Sequence, residues 1–465
     1  MKLNGKVISY GYGLGSLGLG AVYYFMSAYF VVFLTNSVGL SSTVATTIAS
    51  IALAVEVITG MIIGNYSDKC TSKHGKRRPF MFVSGIAMLP VVFLMLNTID
   101  ASMPVKVIYY LFFAVMFRVF FSNYEIPYNA MGAEIAADYD DRTRLRTIVR
   151  VFSIAGNAIG YILPLVILDY FVDAEMGWRT IGIVLALCAF GTGVTSVLLT
   201  REPHYDVVVE NKRNVFKDIV INYKELLAIK PMKYLIVYKA AFSCAFALSN
   251  VATLYFLQYN LGLDNMYSSY IYTYTIIIFV VVTPIVDKVA IAKGKAWQQM
   301  VTMAACGVAG IVIFVLAFDS VVACAIYIGL FAIVQSGFWQ LSSSIFYDIV
   351  EVDEFVNHKR REGDVNSLVS VLGTFITAAM VQCFGILFDI AGFDPQLSVQ
   401  PESVSVFLGF AYILIPCICL LVGAAALKVF PINKYTFASL QKAIELRCKG
   451  EDYSEYMDDI NKILK

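Results

Sequence analysis

Apolar residues run along this chain in long unbroken blocks, separated by short polar breaks. Twelve blocks can be drawn, at approximately 7–36, 43–66, 79–98, 104–130, 147–172, 176–200, 232–259, 265–287, 298–318, 321–347, 364–391 and 403–430, with ends good to a few residues. Each is near the roughly 20 residues that a helix needs to cross a hydrocarbon core. Continuous runs predict helices, because the strands of a membrane β-barrel would alternate apolar and polar positions. The one long break, 201–231, divides the chain into six blocks and six. The expected architecture is an all-α polytopic membrane protein of 12 transmembrane helices. Its parts are an N-terminal six-helix half (1–200), a central loop (201–231), a C-terminal half (232–430) and a charged tail (431–465). In the tail, Phe437, Leu440 and Ile444 are spaced as on a surface amphipathic helix.

Composition agrees. The chain is 59% hydrophobic and 15% charged, with mean hydropathy +0.72, whereas soluble domains carry about 25% charged residues. A net charge of +1 gives no polyanion signal and no reason to expect a nucleic-acid partner. The nine cysteines are scattered without metal-ligand spacing, so no metal and no cofactor are expected. No nucleophile–base pair argues for an enzyme, and no GxxxxGK[ST] loop argues for nucleotide-driven transport. The N-terminus lacks the plan of a cleavable signal peptide.

Charge also gives an orientation. The stretch "SDKCTSKHGKRRPF" (67–80) sets five cations between two apolar blocks. Arg142, Arg144, Arg146 and Arg150 lie in or beside the next even loop, and later even loops hold Lys212, Lys288, Lys295 and Arg361. The odd loops carry mainly acids, such as Asp100, Asp173, Asp264 and Asp394. The excess of Lys and Arg marks the cytoplasmic side, which puts both termini and the central loop there, in a cytoplasmic or plasma membrane. The pattern D-K-x5-G-K occurs at Asp68–Lys76 and again at Asp287–Lys295, in the equivalent loop of each half. Asp68 and Gly75 are expected to cap and turn the helix ends. Two parallel six-helix repeats are the plan of the major facilitator superfamily, whose substrate sites lie near the midplane.

Ionisable residues inside the blocks are expensive and mark functional positions by default. They are Glu56, Arg118, Glu125, Arg150 and Lys239. One reading makes them the lining of a substrate or ion cavity; the other makes them ion pairs that hold the bundle together. Arg118 and Glu125 are seven apart, on one helical face. Arg150 and Lys239 lie near cytoplasmic ends, where long side chains can snorkel to the interface. Pro127 is expected to kink or break its helix beside Glu125. Glu134, Asp138, Arg142, Arg146 and Arg150 recur every four residues, as in a charge ladder on a continuous helix. Gly60/Gly64 and Gly156/Gly160 have the spacing of close helix contacts. Trp339 precedes a serine run in the tenth block and reads either as core or as a ligand platform.

Four ordered motifs carry a resemblance across nearly the whole chain: "ISYGYGLGSLG", "GNYSDKCTSKHGKRRPF", "EIPYNAMGAEIAADYDDRTRL" and "YDIVEVDEFVNHKRREG". The chain resembles the glycoside–pentoside–hexuronide:cation symporters, the melibiose permease group of the major facilitator superfamily. The resemblance implies a cation-coupling role for Glu56. It implies substrate contacts for Glu125, Arg150 and Trp339, and for Asn129 and Thr374 at positions where the family has an aromatic and a lysine; Arg118 joins the substrate candidates only as a charge within its span. Asp68, Gly75, Lys76, Arg142, Asp287, Asp348 and Arg361 fall on the gate-side motifs. There are departures. A second cation carboxylate falls on Gly60, and the first-span sugar acid has no counterpart around Gly18 to Gly20.

The function this implies is cation-coupled (H+ or Na+) symport of a sugar, glycoside or hexuronide by alternating access. The other possibility it leaves open is the same fold carrying an amphipathic or organic-acid cargo, as a uniporter. The partners expected are a small-molecule substrate and membrane lipids around a monomer.

Overall fold

The computed structural model describes residues 5–464 except 69, 71, 136–138, 201–214, 359–360 and 398; of Asp68 and Arg142 it describes the backbone alone. The described chain is helical throughout its blocks. In order, the helices are α1 (Gly5–Ala28), α2 (Phe30–Val32), α3 (Ser42–Asp68), α4 (Arg78–Met95), α5 (Met103–Ile135), α6 (Tyr139–Tyr170), α7 (Ala174–Leu199), α8 (Val215–Ala228) and α9 (Lys230–Tyr255). They continue with α10 (Asn265–Lys293), α11 (Lys295–Ala317), α12 (Val321–Asn357), α13 (Glu362–Ile390), α14 (Glu402–Gly409), α15 (Ile415–Val429), α16 (Lys434–Lys449) and α17 (Met457–Leu464). Among the described residues, 11 helices are long and apolar enough to cross a membrane, or 12 if one bent pair is a single span. The protein is a multi-pass membrane protein.

Three details go beyond the sequence expectation. The first block is bent by 52° between α1 and the segment that follows it. The central loop contains an amphipathic helix, α8. The third detail decides between the two outcomes expected at Pro127, a kink or a break: there is no break, and α5 runs on through the proline to Ile135. A proline frees one backbone carbonyl, but tertiary contacts hold the turn in place. The rings of Tyr12 and Tyr128 stack at 4.2 Å. Each hydroxyl then donates to the other residue's backbone carbonyl, Tyr12 Oη to Tyr128 O at 2.6 Å and Tyr128 Oη to Tyr12 O at 2.9 Å. Of the charge ladder, Glu134, Asp138 and Arg142 lie outside the described side chains.

Contacts divide the chain into two compact units. The first comprises Met1–Glu210, Asn250–Thr273 and Ala378–Leu408. Here α1 packs on α6 and α7, α3 on α5, and α4 on α5 and α7. Gly156 and Gly160 let α6 lie directly on the α1 backbone at Leu17 and Ala21, the close approach that small residues permit. The two later segments are tied in by hydrogen bonds. Asp389 at the end of α13 accepts from the backbone N–H groups of Ser42 (2.9 Å) and Thr43 (2.7 Å), capping α3 from another helix. Thr35 and Tyr255 share a hydroxyl–hydroxyl bond of 2.7 Å, and Tyr161 donates to Asn250 at 2.7 Å.

The second unit comprises Asn211–Ser249, Tyr274–Thr377 and Gly409–Lys465. In it α11 packs on α12 and α15. The tail helix α16 opens with a capping box at Asn433, and Arg447 donates to the carbonyls of Phe355 and Glu354 at the end of α12. Arg361 grips Asp353 through two guanidinium nitrogens (2.8 and 2.5 Å) and reaches Glu225 on α8 at 2.6 Å. The bond to Asp353 raises the Arg361 pKa further above its usual value, so this link stays charged.

An internal repeat is visible in the backbone. Gly75 and Gly294, the glycines of D-K-x5-G-K, have φ of +106° and +102°, a region only glycine enters easily. A second pair was not anticipated. The segments Phe33–Ser37 and Phe256–Asn260 both form a π-helical turn, each followed by a left-handed glycine, Gly39 (φ 80°) and Gly262 (φ 62°). The hydrogen bonds correspond, Val38 N to Phe33 O and Leu40 N to Leu34 O against Leu261 N to Phe256 O and Leu263 N to Leu257 O. The shared signal is F-L-x4-G-L, at 33–40 and 256–263.

A substitution at Gly156 tests the α1–α6 contact. A Cβ there would meet Leu17 backbone atoms, with Cα at 3.0 Å. Gly156→Leu is expected to cost about 3 kcal/mol, read as a lower melting temperature of the purified protein in detergent. Gly191→Leu, where a Cβ meets nothing within 4 Å, should leave that temperature nearly unchanged.

Candidate functional site

In the first unit, α3 carries Glu56 and α5 carries Arg118, and the two form an ion pair, Nη1 to Oε2 at 2.6 Å. Both side chains are largely buried, Arg118 at 5% and Glu56 at 17% exposure. The guanidinium also sits near the rings of Tyr23 (5.9 Å) and Phe117 (5.7 Å), while its Nε is buried without a hydrogen-bond acceptor among the described residues. Two turns along α5, Glu125 lies within electrostatic reach of Glu56 and Arg118 yet makes no hydrogen bond or ion pair of its own among the described residues. Two carboxylates thus lie near one guanidinium, and Glu56 alone pairs with it. When all three are ionised the group carries one surplus negative charge, which a low-dielectric site tolerates poorly.

The neighbouring polar groups come from α1 and α6. Tyr24 stands next to Tyr23, with ring centroids 5.5 Å apart, and interacts with Arg150 and Asn157. Asn129 is exposed one turn beyond Glu125 on the same face of α5. The structure therefore brings Glu56, Arg118 and Glu125 together and sets Arg150 beside them through the two tyrosines.

The second unit holds the other predicted residues. Trp339 on α12 is 40% exposed and meets Phe242, Phe246 and Phe338 edge-on at 6.2, 5.7 and 5.4 Å. Thr374 on α13 is half-buried and donates to the carbonyl of Ser370 in its own helix. The cation beside this turn of α13 comes from α9 instead: a Cβ on Gly373 would lie 2.5 Å from Lys239 Cε. At the motif end, Asp348 pairs with Lys295 at 2.6 Å, and Asp287 accepts from Gln340 at 3.0 Å. Asp287, Lys295 and Asp348, with Lys293, Trp297 and Phe437, line a cavity of about 770 Å³. Arg361 belongs to a separate link with Asp353. Gly75 and Lys76 lie in the turn between α3 and α4; the side chains of Asp68 and Arg142 are outside the described ones.

A family profile described as MFS/sugar transport protein matches residues 11–434. The chain belongs to this family. It is similar to YagG of Escherichia coli K12, named as a candidate glycoside/cation symporter, with 28% identity over 258 residues, 54% of each chain. That match spans about half the length of the relative. It is also similar to the inner membrane symporter YicJ of the same strain, with 22% identity over 461 residues, covering 95% of this chain and 94% of YicJ. A solved D-xylose-proton symporter shares the fold, with TM-score 0.66 and 15% identity over 90% of this chain and 96% of that one. Membership of a major facilitator sugar-transport family agrees with the resemblance carried by the four motifs.

Sequence reasoning missed the Tyr12–Tyr128 clasp, the buried Asp353 and the cap that Asp389 places on α3. The tyrosines lie inside two of the quoted motifs, which is the one signal that could have found them.

The ion pair makes a test available. Removing one member of a buried pair leaves the other uncompensated and costs about 3–5 kcal/mol, while replacing both costs far less. Glu56→Gln and Arg118→Gln are each expected to lower thermal stability strongly. The double variant should recover most of the loss, with a coupling of about 2 kcal/mol or more. Additive losses would mean that the pair does not act as a unit.

Proposed function

We propose that this family member is a secondary transporter that couples entry of a sugar or glycoside to a cation by alternating access. The observation that carries the reading is the group of two acids and one arginine inside apolar spans, in which Glu56 pairs with Arg118 and Glu125 stands nearby without a partner of its own among the described residues. One added cation neutralises it. When that cation leaves, the surplus charge has to be compensated by moving Arg118 or by opening the site to water. Ion binding and cargo binding are then linked in free energy, each favouring the other.

A proton suits the group better than a sodium ion. A hard metal ion asks for several oxygen ligands, whereas one Glu56 oxygen already accepts from Arg118 and Gly60 supplies no carboxylate. Glu125 is the proposed proton carrier, with Arg118 exchanging between the two acids. Asn129, Arg150, Trp339 and Thr374 are proposed to contact the cargo. The motif residues Asp68, Gly75, Lys76, Arg142, Asp287, Asp348 and Arg361 are proposed to serve the cytoplasmic gate, on the side where both termini would lie. The names of the relatives support a sugar-class cargo. The bonds from Asp389 to α3 are bonds that such a cycle would break and remake.

The test is uptake by purified protein in proteoliposomes, with a panel of methyl glycosides and glucuronides. An inward proton gradient should drive accumulation several-fold above equilibrium, and a sodium gradient alone should not. Glu125→Gln should abolish accumulation and retain exchange of labelled for unlabelled cargo. Equilibration without accumulation under either gradient would refute symport and leave facilitated diffusion.

A further inference from the structure

The cavity of about 770 Å³ lies wholly within the second unit, where α10 and α15 end and α11 and α16 begin. Its size falls in the range of about 300–1,000 Å³ usual for small-molecule sites. The transport reading gives this space no occupant. Two properties of the lining bear on what fills it. The first is charge. Lys293, Lys295, Lys428 and Lys434 line the cavity against two acids, Asp287 and Asp348. Lys295 is taken up by Asp348. The other three lysines are exposed and form no ion pair or hydrogen bond among the described residues. Three ammoniums thus stand against one remaining carboxylate, Asp287. The Lys239 ammonium, by contrast, lies over the Phe338 ring at 4.9 Å inside its span.

The second property is an exposed apolar part of the lining. Ile291 is 75% exposed and Trp297 39% exposed, and they belong to the ends of two helices long and apolar enough to cross the membrane. An indole at the end of a span sits at the headgroup level, where tryptophan is favoured. Lys293 lies over that indole at 4.8 Å. A long cation laid along apolar surface at a span end is the snorkelling arrangement. A soluble anion would use the lysines and leave Ile291 and Trp297 bare, whereas a phospholipid uses both.

We propose that this cavity binds an anionic phospholipid, its phosphodiester held by Lys293, Lys428 and Lys434 and an acyl chain laid against Ile291 and Trp297. Basic recesses between membrane helices recognise lipid headgroups in this way. The phosphodiester supplies the negative charge that the lysines lack, in charge-assisted hydrogen bonds. A zwitterionic lipid brings its own cation and leaves the surplus in place. Since α10, α11, α12, α15 and α16 all contribute to the lining, a bound lipid stabilises their packing.

The test is the melting temperature of the purified full-length protein in dodecyl maltoside micelles, titrated with dioleoyl phosphatidylglycerol or dioleoyl phosphatidylcholine. The anionic lipid should raise it by about 3 °C and saturate, as a ligand of the folded state does, and the zwitterionic lipid should not. Lys293→Gln, Lys428→Gln and Lys434→Gln together should remove the rise. Lys224→Gln, Lys230→Gln and Lys233→Gln together, at exposed lysines of the same unit outside the cavity, should keep it, which separates a site from general attraction to an anionic micelle. Glycerophosphoglycerol, the headgroup without its chains, should have no effect at the same concentration. An equal response to both lipids, an equal loss in both triple variants, or a full response to glycerophosphoglycerol overturns the proposal. Contact is read separately from tryptophan fluorescence. Phosphatidylglycerol brominated on its chains should quench more than brominated phosphatidylcholine, and Trp297→Phe should remove most of that difference. No difference, or one that Trp297→Phe leaves unchanged, overturns the proposal even if the triple variant at the cavity fails to fold.

Discussion

A backbone N–H or C=O inside hydrocarbon has no water to turn to, so the protein must satisfy it. Helices follow from that constraint, and so do the details at their ends. The α3 N-terminus has two of its orphan N–H groups taken by Asp389. The π-turns at Phe33–Ser37 and Phe256–Asn260 are followed by left-handed glycines, past which the N–H groups of Leu40 and Leu263 close the carbonyls of Leu34 and Leu257. Hydroxyls within the spans turn back on their own helices, as Thr59 does to Val55 and Thr283 to Phe279. At Pro127 the helix continues, because stopping would expose more backbone than the proline does.

The same constraint acts on charge and separates residues that look alike in the sequence. Arg118 and Lys239 are both cations within apolar spans. One is matched by a carboxylate from a neighbouring helix, and the other rests on an aromatic ring. Glu56 and Glu125 are both acids, but only Glu56 holds the guanidinium. An imbalance confined to a few side chains would let a bound ion change the energy of the bundle. Fully paired charges would give a static bundle.

How legible the site was depended on the range of the contact. Glu56, Arg118 and Glu125 could be named from the rarity of charge in their spans, and Arg118 and Glu125 could be set on one face by their spacing. Nothing in the spacing said which acid would take the arginine, since that choice is made between α3 and α5. Lys239 was visible as a charge within its span, close enough to the cytoplasmic end to snorkel. Its relation to Gly373 and Phe338 joins three helices distant in sequence. The F-L-x4-G-L repeat was present in the letters, but its meaning lies in two π-turns that no propensity indicates.

The sequence by itself determined the class of the protein, the span count within one bend, the repeat in the loops and the family. Hydropathy, charge asymmetry and ordered motifs are local properties, and the bilayer makes them decisive. The tertiary structure decided which charges are paired, which aromatic stays exposed, and that the ends of α9 and α13 are tied to the N-terminal helices through Tyr255 and Asp389. Those outcomes depend on side-chain reach between helices, and they are settled only when packing brings particular turns within hydrogen-bonding distance.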